Sequence, residues 1–487
     1  MTLRRFTPTR LIIGIVFVLL LALATRPPAD SDMWWHLRSG AYMLEHGLIR
    51  QDPFSFTRAD TVWINHSWGT QFILYGLYQT LGNPGLALYT AFLAVGGMAF
   101  VYAASEGNAY LRAFALVLGA ATAAVFWSPR PQMISFCLSA AVVYILTLYQ
   151  RRGIDRLWFL PPLMLVWGNL HAGFSIGYIL MAGTLVGELV GAVLNPAVGR
   201  WIRVRRLALV SAISFAVLIV NPYGVQLYAL PFQTVGIDVL RDYIQEWRPP
   251  DFQQLYILPF VVMIVGLIGA LGASPLRLRW SDFFLISGTL YLALAAGRNI
   301  ALFAVVATPL LTLHLNAALD QHGWVLPERN AVPPIQGRLN ALLLFLICLG
   351  AAAKMIFVLI PVQVQAAQAT IAPVAAVEHL KTLDVAGNLF NSYNWGGYLI
   401  WAASERRVFV DGRTDLYGNE FLTEYIQTAS AQDGWKATLD RYDIDIVLVE
   451  VNGSLAEALA LTPSWRLEYQ DTQAVIYVRE GINRDSE

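Results

Sequence analysis

Charge is scarce in this chain. Of its 487 residues, 33 are Lys or Arg and 33 are Asp or Glu, a charged fraction of 14%, where an ordinary soluble domain carries about 25%. With 56% hydrophobic residues and a mean hydropathy of +0.52, the chain is neither disordered nor fibrous. The net charge is zero, and there is no basic tail or basic helix, which argues against nucleic-acid binding. Cysteine is almost absent: Cys137 and Cys348 sit far apart in apolar runs, which excludes a disulfide framework and a thiolate metal site and makes both packing residues. No clear internal repeat occurs, and residues 373–487 hold no Gly-rich phosphate loop or catalytic-triad spacing. What remains is a protein that crosses the bilayer many times.

The scarcity is uneven. Residues 1–361 hold 24 basic and 15 acidic side chains, whereas residues 362–487 hold 9 and 18. This reads as a membrane domain (1–361), a low-charge linker (362–372) and a soluble domain (373–487). A span needs about 20 apolar residues. Eleven runs are candidates: 9–25, 84–104, 112–127, 132–150, 157–169, 173–194, 206–220, 255–272, 280–296, 299–316 and 339–361. The first resembles a signal peptide, but Arg26-Pro27-Pro28 is a poor cleavage site, so a retained span is expected. The aromatic stretch 67–81 fits a helix lying at the interface.

Basic clusters set the orientation. Arg4/Arg5/Arg10, Arg151/Arg152/Arg156, Arg200/Arg203/Arg205/Arg206 and Arg277/Arg279 all fall on one side of an eleven-span body whose N-terminus is cytoplasmic. The long first loop 26–83 and the soluble domain then lie outside the cytoplasm, on the plasma or inner membrane. The outer loops are rich in polar groups: Asp30-Ser31-Asp32, Asn65-His66, Ser128-Pro129-Arg130, Asn169-Leu170-His171, Glu246-Trp247-Arg248 and Gly297-Arg298-Asn299. Such groups are costly near hydrocarbon and mark functional positions. Glu188 and Lys354 lie inside predicted spans and read as structural.

The soluble domain alternates helix and strand. Helices are expected at Pro373–Leu383, Glu420–Thr428, Gly434–Tyr442 and 454–461; strands at Gly387–Asn391, Val408–Val410 and Asp445–Glu450, with a final hairpin at 466–470 and 473–479. The fold class is therefore a polytopic α-helical membrane protein with a C-terminal soluble α/β domain.

One further signal comes from resemblance. Asp30-Ser31-Asp32-Met33-Trp34-Trp35-His36-Leu37-Arg38 resembles the first-loop motif of oligosaccharyltransferase. His66-Ser67-Trp68, the interfacial helix and Gly82-Asn83-Pro84 resemble a juxtamembrane element of the protein O-mannosyltransferases. Asn391 to Ile400 is similar to the acceptor-recognising Trp-Trp-Asp-Tyr-Gly segment of oligosaccharyltransferase, and Val408 to Arg413 to the strand and acidic turn after it. The match departs from that segment in two places: Ser392 and Tyr393 stand where it has its leading tryptophans, and its aspartate is Asn394 or missing here. The chain thus resembles the integral-membrane glycosyltransferases of the GT-C superfamily, and its layout resembles a widespread group of bacterial membrane proteins.

The resemblance implies a sugar donor on a polyprenyl phosphate and a lipid, glycan or protein acceptor. Asp32 or Asp30 is the expected base. Arg130, Arg298 and Arg248, with His66, His171 and His36, are expected at the donor phosphate. Tyr393, Asn394, Trp395 and Asp411 are the expected acceptor contacts. A Mg²⁺ or Mn²⁺ ion would find oxygen and nitrogen donors in Asp30, Asp32 and His36, although these have no fixed ligand spacing. Each residue also has a structural reading. Asp32 would cap the helix after it, Trp34 and Trp35 would anchor at the interface, Arg130 and Arg298 would pair or reach headgroups, and Glu246 would pair with Arg248. The competing functional classes are a lipid-linked sugar transporter or flippase and a non-catalytic membrane scaffold.

Overall fold

The computed structural model describes residues 6–59, 61–235, 245–324, 327–329 and 331–480. The chain divides into two compact units. The first comprises Met1–Arg26, Ala87–Leu227 and Tyr243–Ile360; the second comprises Pro27–Leu86, Tyr228–Asp242 and Pro361–Glu487. The long first loop therefore folds with the C-terminal segment.

The first unit is a set of apolar helices, because hydrocarbon offers no partner for backbone N–H and C=O groups and only internal hydrogen bonding satisfies them. Among the described residues, seven helical stretches are long and apolar enough to cross a membrane: Asn83–Ala104, Ala109–Phe126, Gln132–Arg151, Phe174–Leu194, Leu255–Ala273, Gly297–Gln321 and Pro334–Val358. Pro8–Ala24, Leu157–Leu170 and Trp280–Ala295 are shorter apolar helices. The protein is an integral membrane protein. The run expected to span at 206–220 belongs to a helix that starts earlier, Val198–Ala216, because its four arginines are good helix formers. Small residues let helices approach closely: a Cβ on Gly187 would overlap the backbone of Ser281, and one on Gly119 the side chain of Thr308.

Several charged groups of this unit are paired. Arg151 lies 2.7 Å from Asp282, and Arg203 lies 3.4 Å from Glu188. Lys354 Nζ donates to the carbonyls of Ala22 at 2.6 Å and Thr25 at 2.5 Å, satisfying acceptors at the end of the first helix. Both cysteines are free thiols.

In the second unit, the helices Met33–His46 and Trp68–Leu81 pack face to face; Gly40 allows this, since a Cβ there would meet Gln71 O. The C-terminal segment forms a four-stranded mixed sheet of order β1-β2-β4-β3, with β1 Asn388–Asn391, β2 Ile444–Glu450, β3 Trp465–Gln470 and β4 Ala474–Arg479. β1 runs parallel to β2, and the other two pairings are antiparallel. β2 is hydrophobic and buried along nearly its whole length, as a central strand covered on both faces must be. The helices Val374–Thr382, Thr414–Ala429, Trp435–Arg441 and Ser454–Ala460 accompany it.

Two expectations differ in detail. Most of the linker is helical, Pro361–Ala369, since its Ala and Gln residues favour helix. The 408–410 segment is extended but lies outside the sheet. It pairs with the first loop through the Ser55–Val408 bridge, with Val408 N–H donating to Phe54 O at 3.0 Å and Phe56 N–H to Val408 O at 3.2 Å.

Candidate active site

The acidic turn Asp30-Ser31-Asp32 belongs to the second unit. Asp32 occupies the N-cap position of Met33–His46, but its side chain makes no cap hydrogen bond to the backbone. Its Oδ1 accepts instead from the indole Nε1 of Trp35 at 3.2 Å, while its own N–H donates to Asp30 Oδ1 at 2.9 Å. A carboxylate at a helix N-terminus is favoured by the helix dipole. Two glycines of the C-terminal segment seat the turn. A Cβ on Gly397 would overlap Ser31 O, and one on Gly412 would overlap Asp32 Oδ1. Both aspartates remain partly exposed.

A buried ion cluster holds this seat in place. The Arg413 guanidinium reaches Asp411 through Nε at 2.7 Å and Nη2 at 2.6 Å, and Asp52 through Nη1 at 2.5 Å. All three side chains are inaccessible to solvent. Tyr417 OH donates to Asp411 Oδ2 at 2.7 Å. Asp52 also accepts from Phe54 N–H and Ser55 N–H, both at 3.0 Å, and from the Ser55 hydroxyl. Burial alone would lower the Arg413 pKa, but Asp411 and Asp52 outweigh it and hold the guanidinium well above its ordinary value. Burial, and then the Asp411 charge, push the Tyr417 phenol well up. Trp63 and Phe54 lie over the Arg413 guanidinium at 4.9 and 5.2 Å.

The histidines expected here have distinct settings. His36 is buried, with its ring tilted against that of Trp35. Its Nδ1 lies 3.2 Å from Gln71 Nε2, and Gln71 and Asn65 exchange hydrogen bonds of 2.7 and 2.9 Å; this network joins the two packed helices. His66 Nδ1 meets Ser67 Oγ at 2.8 Å. Among the described residues, no group of three or more His, Cys, Asp or Glu side chains is placed to hold a metal ion, so Asp30, Asp32 and His36 form no such group.

Of the expected acceptor contacts, Asn394 is exposed and Tyr393 half-buried at the start of the helix Tyr393–Ala402. Trp395 is buried, and Asp411 is inaccessible, with its oxygens taken by Arg413 and Tyr417. The structure thus makes Asp411 part of the frame beneath Asp32, because a carboxylate in an apolar interior must be paired.

The first unit carries a second cluster. Glu246 lies 3.4 Å from Arg130 Nη1 and 3.3 Å from Arg298 Nη1, giving a different oxygen to each. Arg298 also lies over the Trp247 ring at 4.3 Å, and Gly297 N–H donates to the Arg248 carbonyl at 2.9 Å, tying these two turns together. Burial would raise the Glu246 pKa, but Arg130 and Arg298 hold it below its ordinary value. In the same unit His171 Nδ1 accepts from Gly173 N–H at 3.1 Å and meets Ser135 Oγ at 2.7 Å, while Trp167 Nε1 donates to that hydroxyl at 2.7 Å. With Nδ1 accepting, a neutral His171 carries its proton on Nε2.

The sequence reading did not single out Asp52. Its signal is local: in Asp52-Pro53-Phe54-Ser55 a short carboxylate precedes two backbone donors it can cap.

No family model matches the chain, and no curated protein matches it. Solved structures do. The archaeal oligosaccharyltransferase AglB from Archaeoglobus fulgidus, in complex with an inhibitory peptide and a dolichol-phosphate, is similar over 96% of this chain and 74% of its own, with TM-score 0.55 and 12% identity. ArnT from Cupriavidus metallidurans, bound to undecaprenyl phosphate, is similar over 96% and 97%, with TM-score 0.51 and 13% identity. The fold is that of the GT-C glycosyltransferases. Arabinofuranosyltransferase AftD from Mycobacteria shares it at TM-score 0.50 and 14% identity, over 98% of this chain and 40% of its own.

Proposed function

We propose that the chain is a membrane glycosyltransferase that moves a sugar from a polyprenyl-phosphate donor to a lipid, glycan or protein acceptor outside the cytoplasm. The observation that carries this reading is the seating of Asp32, a partly exposed carboxylate held by Trp35 and Gly412, within a GT-C fold. AglB and ArnT were solved with dolichol-phosphate and undecaprenyl phosphate, which supports the same donor class here.

Asp32 takes the proton of the acceptor nucleophile as that atom attacks the anomeric carbon. The bond from that carbon to the phosphate oxygen breaks on the opposite face, so configuration inverts. The electron pair leaves with the phosphate, whose charge Arg130 and Arg298 stabilise. Arg248, His66 and His171 are further candidate donors to the phosphate. Asn394 and Tyr393 are the accessible candidates for acceptor contact.

The test is transfer by full-length protein in lipid nanodiscs, with a panel of radiolabelled undecaprenyl-phosphate sugars. Wild type is expected to release sugar from one of them, and Asp32→Asn to lose at least a hundredfold in rate, the lower end of general-base effects of about 10²–10⁴. Equal rates for the two proteins would remove Asp32 as the base.

A further inference from the structure

Three apolar helices of the first unit end beside two cations. Lys354 lies one turn before the end of Pro334–Val358, about 6 Å inside it along the axis. Its Nζ donates to the carbonyls of Ala22 at 2.6 Å and Thr25 at 2.5 Å, at the C-terminus of Pro8–Ala24. Arg26 reaches the same end through Nε, which donates to Leu23 O at 3.3 Å. Its Nη1 donates at 3.3 Å to the carbonyl of Ala124, the C-cap of Ala109–Ala123. Each side chain is thus held through its own charged group, and the charge of Arg26 acts on Lys354.

The carbonyls do not neutralise this pair. A helix C-terminus carries roughly −0.5 of an elementary charge, so two such ends offset about one of the two cationic charges. Among the described residues, no carboxylate pairs with Lys354 or Arg26 or acts on the charge of either. Donors also remain. An ammonium has three N–H groups and a guanidinium five, and two of each are spent. Charge beside hydrocarbon is costly without a partner, and the place says which partner fits. Pro334–Val358 packs on Pro8–Ala24 and otherwise shows exposed apolar side chains, among them Leu349, Ile356 and Phe357. In a bilayer, acyl chains cover such a surface, and the phosphates above them lie level with the helix end.

We propose that Lys354 and Arg26 form a binding site for the headgroup phosphate of an anionic membrane phospholipid. The phosphodiester accepts from the remaining N–H donors of both side chains and offsets the remaining charge, while its acyl chains run along Pro334–Val358. The guanidinium fork matches two phosphate oxygens, and the ammonium adds a point charge. The bound lipid bridges the ends of Pro8–Ala24 and Pro334–Val358. These cations are separate from the arginines assigned to the donor phosphate, and the site does not depend on the transfer reaction.

The experiment places full-length protein in phosphatidylcholine nanodiscs with a trace of phosphatidylglycerol that carries a diazirine at the top of one acyl chain. Peptide mass spectrometry then locates the label. Wild type should be labelled at 22–26 and 354–358, and diacylglycerol with the same diazirine should leave these segments unlabelled. Arg26→Gln and Lys354→Gln keep amide donors for the carbonyls and remove the charge. Each should cut this labelling by about tenfold, the lower end of what a hydrogen bond to a charged group contributes. Arg26→Lys keeps the charge and should retain most of the label. Arg26 is exposed, so Arg26→Gln should melt like wild type in detergent, which separates lost binding from lost folding. Excess undecaprenyl phosphate should not displace the label. Equal labelling of wild type and both glutamine variants, or equal labelling by diacylglycerol, overturns the site. Displacement by undecaprenyl phosphate overturns the phospholipid as occupant and gives the two cations to the polyprenyl lipid.

Discussion

Gly412 lies directly against the carboxylate of Asp32, with no room between them for a side chain. Its φ lies outside the left-handed region, so left-handed backbone strain does not arise for alanine at this position, and the atoms its methyl group meets first belong to Asp32. Gly412→Ala should therefore displace the carboxylate from its place beside Trp35 without unfolding the protein. We expect transfer to fall toward the Asp32→Asn level with melting temperature near wild type. The double variant should be no slower than Asp32→Asn, because one function cannot be lost twice. Full transfer by Gly412→Ala would show that the contact does not position the base.

The neighbouring Arg413 anchors that contact. Removing it leaves Asp52 and Asp411 as buried charges without their cation, a loss of about 3–5 kcal/mol for a broken buried pair. Arg413→Met should lower the melting temperature sharply. Arg413→Lys should recover only part, since an ammonium cannot reproduce a fork that meets two carboxylates at once. Wild-type melting of Arg413→Met would mean that the cluster does not hold the first loop to the C-terminal segment.

Much of this was readable in the chain. The amphipathic stretches after Asp32 and at 67–81 are helices, and the buried run at 445–450 is the central strand, because in each case the pattern is local. The tie between Asp52 and Arg413 spans 361 residues, and no local pattern reveals it. The apolar 408–410 segment carries a strand signal, but periodicity does not say which edge it meets, and it meets the first loop. Glu246 reads most simply as the partner of Arg248 two residues on. The structure gives it Arg130, 116 residues away, and Arg298. Asp411 reads as an acceptor contact by resemblance, yet full burial makes it a frame residue.

The ion cluster at Glu246 also sets a pH dependence. Its carboxyl is held below its ordinary value by Arg130 and Arg298 against the opposing effect of burial. A depressed carboxyl contributes stability that is fully present above the unfolded-state value of about 4.3 and is lost as pH falls through the folded one. The difference in melting temperature between wild type and Glu246→Gln should be constant from pH 8 to 5 and shrink at lower pH. A difference that persisted unchanged below pH 3 would contradict the depressed carboxyl.

His171 offers a separation of frame from function within one side chain. Its Nδ1 serves the fold: it accepts from Gly173 N–H and meets Ser135 Oγ, and a Cβ on Gly173 would overlap that hydroxyl. Its Nε2 is the donor end that a phosphate would use. Asparagine places an oxygen near the Nδ1 position but has no group at Nε2, so His171→Asn should keep the turn and the melting temperature. If His171 donates to the donor lipid, this variant should bind undecaprenyl phosphate about ten- to a hundredfold more weakly, the loss of one hydrogen bond to a charged group costing about 1.5–3 kcal/mol. Ser135→Ala should do the reverse. It removes the acceptor of the Trp167 indole, which lies in the buried core, and so should lower the melting temperature while leaving Nε2 in place. Unchanged binding in His171→Asn would assign His171 to the frame alone.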